Sequence, residues 1–396
     1  MKKHKLPKGF LANGIHCGVK KKRKDLSLIY SEVPCKIAVL FTRNVVKAAP
    51  VILAEKQLEK NKKIRAVVIN SGNANCMTGT RGLKDAKKMV HTMAGILGVG
   101  KNEVLVSSTG IIGEYMNMSP VINGMKRLAK GLSGEGIEDA ADGIMTTDRF
   151  RKMVSRTFTA GGKKIQMTGI AKGAGMIKPN MATMLGYIMT DADISKKAMK
   201  NALIHTTDHS FNAITVDGDM STNDTVVLLA NGEAGNRRIG EKGKDYEIFL
   251  KNLKAVSVEL SKMIVRDGEG ASKVIEVNVK GAKTPKDAKK TAEAIAGSLL
   301  VKCAVLGGDP NWGRIASSAG SSGVKFNPDK MEIILDGIVF FKRGKAHKSF
   351  NRKKISVFKD KKVKILVDLH QGKCAATVFS CDISKKYITL NSYYTT

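Results

Sequence analysis

The residue types best suited to chemistry are concentrated in Thr168-Gly-Ile-Ala-Lys172-Gly-Ala-Gly175-Met-Ile-Lys178-Pro179-Asn180-Met181-Ala182-Thr183-Met184-Leu185. A loop bearing Gly and Pro delivers the small pair Ala182-Thr183 into the start of an apolar run, Thr183–Thr190. A Thr that heads a core strand ordinarily turns its hydroxyl back onto its own chain. In a strained, water-poor turn the same hydroxyl can attack the preceding carbonyl and shift the acyl group from nitrogen to oxygen. Hydrolysis then frees Thr183 as a new N-terminus, whose α-amine, with a reference pKa of about 8, can act as general base to its own hydroxyl. Nucleophile and base then share one residue, and no His or Asp relay is required.

Other nucleophile and ligand patterns fail. No G-x-S-x-G elbow occurs. His205 and His209 lie four apart, but Thr206 stands where a metalloprotease needs Glu, and no third ligand is suggested; they read as structural. Gly95–Asn102 approaches a phosphate-binding loop, yet Asn102 replaces the hydroxyl and the local order is helix–loop–strand, so a helix end and turn is expected.

Positioning Thr183 demands a substantial scaffold. Lys36–Phe41, Arg65–Asn70, Glu103–Ser108, Thr225–Ala230 and Lys273–Lys280 have the length and β-branched content of buried strands. Val45–Asn61, Thr80–Leu97, Ile194–Ser210 and Asp245–Val265 carry helical spacing. Ser155–Ala160 and Lys164–Ala171 form a hairpin through Gly161-Gly162. Thr284-Pro285 opens a helix running to about Leu300, followed by a Gly-rich segment, Gly307–Gly323. Strands are expected at Met331–Leu335, Lys364–Asp368, Cys374–Ser380 and Tyr387–Tyr394. The expected fold class is α/β, an α+β layered sandwich core over 1–280, with a smaller α+β C-terminal domain over 281–396.

Composition narrows the function classes. With 42% hydrophobic and 26% charged residues, the 396-residue chain buries a core and is neither disordered nor collagen-like. No run of about 18 apolar residues occurs and the N-terminus lacks a signal-peptide stretch, so no membrane partner and a cytoplasmic location are expected. Six scattered cysteines without a CxxC pair read as thiols in a reducing compartment. The formal charge of +33 comes from 68 Lys+Arg, only 14 of them Arg, spread along the chain with a local run at Lys20–Lys24. With aromatics at 5%, a solvated Lys-rich surface fits better than a nucleic-acid groove.

The cleavage-type segment, Lys172-Gly-Ala-Gly-Met-Ile with Pro179-Asn-Met-Ala-Thr183-Met-Leu, resembles that of the bifunctional ornithine acetyltransferase/glutamate N-acetyltransferase family of arginine biosynthesis. Asn70-Ser-Gly-Asn-Ala-Asn75, Ser107-Ser-Thr109-Gly110-Ile-Ile-Gly113, Met145-Thr146-Thr147-Asp148, Asp267-Gly-Glu269-Gly and Gly308-Asp-Pro-Asn-Trp312-Gly-Arg are similar to further blocks of that family. The resemblance implies cleavage between Ala182 and Thr183. The α chain (1–182) and β chain (183–396) then stay associated, as α2β2 or higher. It implies an oxyanion hole at Thr109 and Gly110 and a substrate contact at Thr146, with Thr147 an alternative hydroxyl. Lys172 would meet a substrate carboxylate, and Glu269 the ornithine side-chain amine. Asn391 and Thr396 would be C-terminal substrate ligands, which requires the last strand to return to the site. The implied reaction moves acetyl from N-acetylornithine to Thr183 and on to glutamate, without metal or organic cofactor. Acetyl-CoA as a further donor would make the enzyme bifunctional.

The sequence departs from the family after Asp148: the family continues with Thr and then a Pro before Lys, whereas here the run is Asp148-Arg149-Phe150-Arg151-Lys152. The two extra cations either alter acceptor choice or follow the basic drift of the chain. Two other functions compete: a self-processing amidohydrolase or aminopeptidase using the same nucleophile, and a basic nucleic-acid-binding protein.

Overall fold

A computed structural model describes residues 4–60, 63–178, 184–347 and 357–393. Thr183, Ala182 and Thr396 lie outside the described residues. The first sheet draws on β1 (Phe10–Ile15), β2 (Leu26–Phe41), β3 (Lys63–Asn73), β4 (Val104–Ile111), β5 (Lys152–Ala160), β6 (Lys163–Lys172), β7 (Leu185–Thr190) and β8 (Thr225–Ala230). Their order is β4-β3-β2-β8-β7-β6-β5, with β1 beside the first half of β2. β3–β4 and β7–β8 are parallel and the other pairs antiparallel. The helices of this half are α1 (Ala49–Lys60), α2 (Gly79–Leu97), α3 (Met118–Lys130), α4 (Ile137–Ile144), α5 (Lys196–Asp208) and α6 (Lys244–Arg266).

Side chains alternate across a strand, so a run of consecutive apolar residues, such as 66–69 of β3, must be covered on both faces. β3 shows this. Ala66 and Val68 pack with Met89 and Met93 of α2 and Met125 of α3, while Val67 and Ile69 pack with Ile137 and Ile144 of α4. At the other end of the sheet, Met167, Ile188 and Leu228 meet Leu203 of α5 and Val256 and Leu260 of α6. The layers are therefore helix–sheet–helix, a mixed α/β core.

The second sheet has the order β12-β11-β10-β13-β9-β14. It contains β9 (Val274–Ala282), β10 (Glu332–Leu335), β11 (Ile338–Lys342), β12 (Lys345–Ala346), β13 (Lys362–Asp368) and β14 (Cys374–Cys381). β9, which straddles the 280/281 division expected from sequence, pairs with β13 and β14 and so lies entirely in this sheet. The helices of this half are α7 (Pro285–Gly297), α8 (Leu299–Gly307), α9 (Trp312–Gly320) and α10 (Lys385–Tyr393). Phe379 and Cys381 of β14 pack into the core of the first half.

Three expectations are corrected. The helix opened by Thr284-Pro285 ends at Gly297, because the Ser298 hydroxyl accepts from Val301 N at 3.3 Å and caps a new helix. The Gly-rich segment contains α9, capped by Asn311 onto Arg314 N at 3.3 Å. Most consequential, the described part of the strand expected at Tyr387–Tyr394 is not a strand. Its β-branched and aromatic residues suggested one, but residues 385–393 are α10. Tertiary contact overrode local propensity. Gly270 at φ +70° leaves room where a Cβ would lie 2.6 Å from Tyr387 N, and the Ser384 hydroxyl donates to Gly270 O at 2.7 Å. The helix docks on the Asp267–Gly270 turn.

Candidate active site

One end of the first sheet, where β4 and β6 finish and β7 and β8 begin, forms the floor of a cavity of about 210 Å³. Thr109 and Gly110 come from β4, Thr146 and Thr147 from the loop after α4, and Lys172 from the last position of β6. Glu269 comes from the turn after α6, and Asn391 with Tyr387 from α10. Met184, the residue after Thr183, is also in the wall. The site residues expected from sequence that lie within the described residues thus converge, Asn391 through a helix instead of a strand.

Two of the sequence blocks explain each other. The Ser108 hydroxyl donates to Asn70 Oδ1 at 2.6 Å, and Asn70 Nδ2 donates to Asn73 O at 2.8 Å. Asn223 Nδ2 reaches both Ala74 O at 2.7 Å and Ser108 O at 2.8 Å, locking the ends of β3 and β4 together. Gly110 sits at φ +134°, and a Cβ there would overlap the backbone of Gly72 and Asn73. The position therefore admits only Gly, whose backbone can adopt this conformation and approach its neighbour closely. Gly110→Ala must displace this backbone and its N–H; with that N–H in the oxyanion role that the family resemblance implies, turnover should fall by about a hundredfold or more, the usual cost of misplacing one such donor. A kcat within a few-fold of the parent would contradict that placement.

Lys172 is 9% exposed, and its Nζ donates to Thr109 Oγ1 at 3.2 Å. A hydroxyl that accepts from an ammonium must direct its own single proton elsewhere. Lys172 thus leaves Thr109 as a donor. Burial pulls Lys172 down from the ordinary Lys range, and the nearby Asp148 carboxylate opposes that. Gly175 lies against Glu269, where a Cβ would be 2.5 Å from the carboxyl carbon, and Asn391 Nδ2 donates to Glu269 Oε2 at 2.9 Å.

Behind the cavity lies a buried charge cluster to which sequence reading assigned no role. Lys152 Nζ bridges Asp148 Oδ1 and Asp267 Oδ2, each at 2.6 Å, with all three side chains fully buried. Asp148 also accepts from Gly173 N and Thr146 N, both at 2.8 Å, so one carboxylate holds the loops that carry Lys172 and Thr146. Burial would raise Asp148, but the ammoniums of Lys152 and Lys172 and these donors hold it well below the ordinary carboxylate range. A depressed folded-state pKa contributes stability that is present above the unfolded value of about 4 and lost as pH falls further. The stability gap between parent and Asp148→Asn, measured by urea midpoints, should therefore narrow below about pH 4. A gap that stays constant or widens there would contradict the ionised assignment. Asp148 and Asp267 stood inside quoted blocks, which was the available signal; Lys152 offered none beyond its place near them.

The extra cations have partners. Arg149 Nε donates to Asp267 Oδ1 at 2.9 Å, and Arg151 pairs with Asp142 at 2.6 Å and Glu138 at 2.5 Å. They brace the loop. The Lys20–Lys24 run, read as solvated surface, is partly engaged. Lys20 Nζ donates to Met145 O at 2.8 Å and Arg23 to Asp148 O at 3.0 Å.

Among the described residues no group of three His, Cys, Asp or Glu is placed to hold a metal ion. His205 and His209 stack at 4.6 Å, and His209 Nδ1 bonds its own helix at His205 O. Among the described residues no helix is long and apolar enough to cross a membrane.

Residues 11–396 match the model of the ArgJ family. The chain is 47% identical to the arginine biosynthesis bifunctional protein ArgJ of Caldanaerobacter subterraneus, covering 100% of this chain and 98% of that protein. It is 45% identical to the protein of that name from Thermotoga neapolitana, over 99% of this chain and 100% of the relative. Among solved structures, the Mycobacterium tuberculosis ornithine acetyltransferase complexed with ornithine is 33% identical, with a TM-score of 0.40, covering 46% of this chain and 97% of that one.

Proposed function

The chain belongs to the ArgJ family, and from that premise we propose that it is a self-cleaving acetyltransferase working through Thr183. The supporting observation is convergence. Thr109, Gly110, Thr146, Lys172, Glu269 and Asn391, drawn from five separate stretches of chain, line one cavity whose wall includes the residue that follows Thr183. In this reading Ala182 and Thr183 part, giving chains 1–182 and 183–396 that remain together as α2β2 or a higher assembly.

The Thr183 hydroxyl attacks the acetyl carbonyl of N-acetylornithine while the Thr183 α-amine takes its proton. Negative charge develops on the carbonyl oxygen, where the Thr109 hydroxyl and the Gly110 N–H donate. Collapse of this intermediate breaks the acetyl C–N bond, and the proton held by the amine passes to the departing ornithine nitrogen. An acetyl ester remains on Thr183. Lys172 binds the substrate carboxylate, Thr146 assists it, and Glu269 with Asn391 receives the ornithine side-chain amine. Ornithine leaves and glutamate enters; its amine attacks the ester carbonyl and loses a proton to the Thr183 α-amine, the same donors stabilise the second intermediate, and breaking of the ester C–O bond returns that proton to the Thr183 oxygen and releases N-acetylglutamate. Acetyl-CoA would enter at the first half-reaction as an alternative donor.

The test is transfer of a labelled acetyl group from N-acetylornithine to glutamate by purified enzyme. Labelled N-acetylglutamate is expected. Release of labelled acetate alone would contradict the transferase reading and favour the amidohydrolase.

A further inference from the structure

The cavity wall contains a buried carboxyl whose surroundings are opposite to those of Asp148 behind it. Asp224 directly precedes β8, is 3% exposed, and lines both the catalytic cavity and a small void behind it formed by Leu40, Met184, Phe211 and Val226. Its Oδ2 is buried and has no hydrogen-bond partner among the described residues. Asp148, by contrast, accepts from one ammonium and two backbone N–H groups. An ionised carboxylate with one oxygen buried and undonated costs far more than the neutral acid. Two buried carboxyls with such different environments are expected to hold different protonation states.

We propose that Asp224 is a positioning residue that works as an uncharged carboxylic acid, leaving the Lys172 ammonium available to a substrate carboxylate. This rests on the assignment of Lys172 above. Among the described residues lining the cavity, Lys172 is the cation, while Asp217, Asp219 and Glu269, with Tyr387, face it from the other walls. On the side of the small void, α5 and the loop after it contribute the uncharged Thr207 and Asn212. An ionised Asp224 would be a fixed carboxylate competing with the substrate for Lys172; a neutral one competes far less. Burial pushes Asp224 well above the ordinary carboxylate range, against the opposing pull of Ser221, Lys172 and the Met184 N–H.

The test combines a spectroscopic signature with kinetics on the processed enzyme. Infrared difference spectra between the parent and Asp224→Asn at neutral pH should show a protonated-carboxyl carbonyl band lost in the variant. Asp224→Asn, uncharged and of the same shape, should keep kcat and KM for N-acetylornithine within about threefold, whereas Asp224→Glu, longer by a methylene, should raise KM at least tenfold. Absence of the band, or a tenfold or greater fall in kcat/KM for Asp224→Asn, would overturn the proposal. If Asp224→Asn does not fold, Asp224→Ser serves for the spectra: loss of the protonated-carboxyl band in that variant supports the proposal, and a spectrum without that loss refutes it. The infrared readout does not depend on acetyl transfer, so failure of the transferase reading and failure of this one are separately visible.

Discussion

Replacing Thr183 by Ala should leave a single uncut chain of 42.7 kDa and remove acetyl transfer to the assay background. Both losses follow from one missing hydroxyl. Without it, nothing attacks the Ala182 carbonyl, so neither the new N-terminus nor the α-amine base is made; nor does an oxygen remain to carry acetyl. The expected fall exceeds that for either oxyanion donor, because removal of a covalent nucleophile eliminates the intermediate instead of raising its energy. Thr183→Ser keeps the oxygen and should retain processing, more slowly. The decisive observation is coupling: processing and turnover should disappear together. A Thr183→Ala protein that arrives as two fragments, or that transfers acetyl, would end the account.

The second large effect concerns stability. Lys152→Met should destabilise the protein by about 3–5 kcal/mol, the usual cost of stranding a buried charge. Two carboxylates, Asp148 and Asp267, lose the ammonium 2.6 Å from each. The consequence extends to the site, because Asp148 holds Thr146 N and Gly173 N. Adding Asp267→Asn to Lys152→Met removes one of the two buried carboxylates, leaving Arg149 to lose its partner at Asp267, and should recover part of the loss, a non-additivity expected of groups in one network. Denaturant midpoints of the parent, the two single variants and the double variant measure it. A Lys152→Met effect below about 1 kcal/mol would show the triad to be dispensable.

How much of this was legible before the fold was known depended on whether the information was local. The hairpin at Gly161-Gly162, the start of the helix opened by Thr284-Pro285 and the strand expected at Glu103–Ser108 and found at Val104–Ile111 were readable because turn chemistry, caps and apolar periodicity act over a few residues. Thr109, Gly110, Thr146, Lys172 and Glu269 were identified by motif resemblance, and their convergence needed the fold. Lys152 could not be told from the other lysines, because its burial depends on Asp267, 115 residues away. Asp224 was missed for a related reason, since its charge is decided by what fails to reach Oδ2. The Tyr387–Tyr394 segment misled because its composition favours strands, whereas its place is set by docking on the Gly270 turn. The spacing of Tyr387 and Asn391, one helical turn apart and both in the cavity wall, is the pattern that a helix explains.

The central claim is that residue 183 begins a separate chain and carries the acetyl group. Its most direct test is an intact-mass measurement of enzyme exposed to N-acetylornithine without glutamate and quenched in acid. The account predicts two polypeptides, 1–182 and 183–396, with the second heavier by one acetyl group and that increment lost when glutamate is added. A single polypeptide, or a 183–396 fragment that never gains the increment, would contradict it.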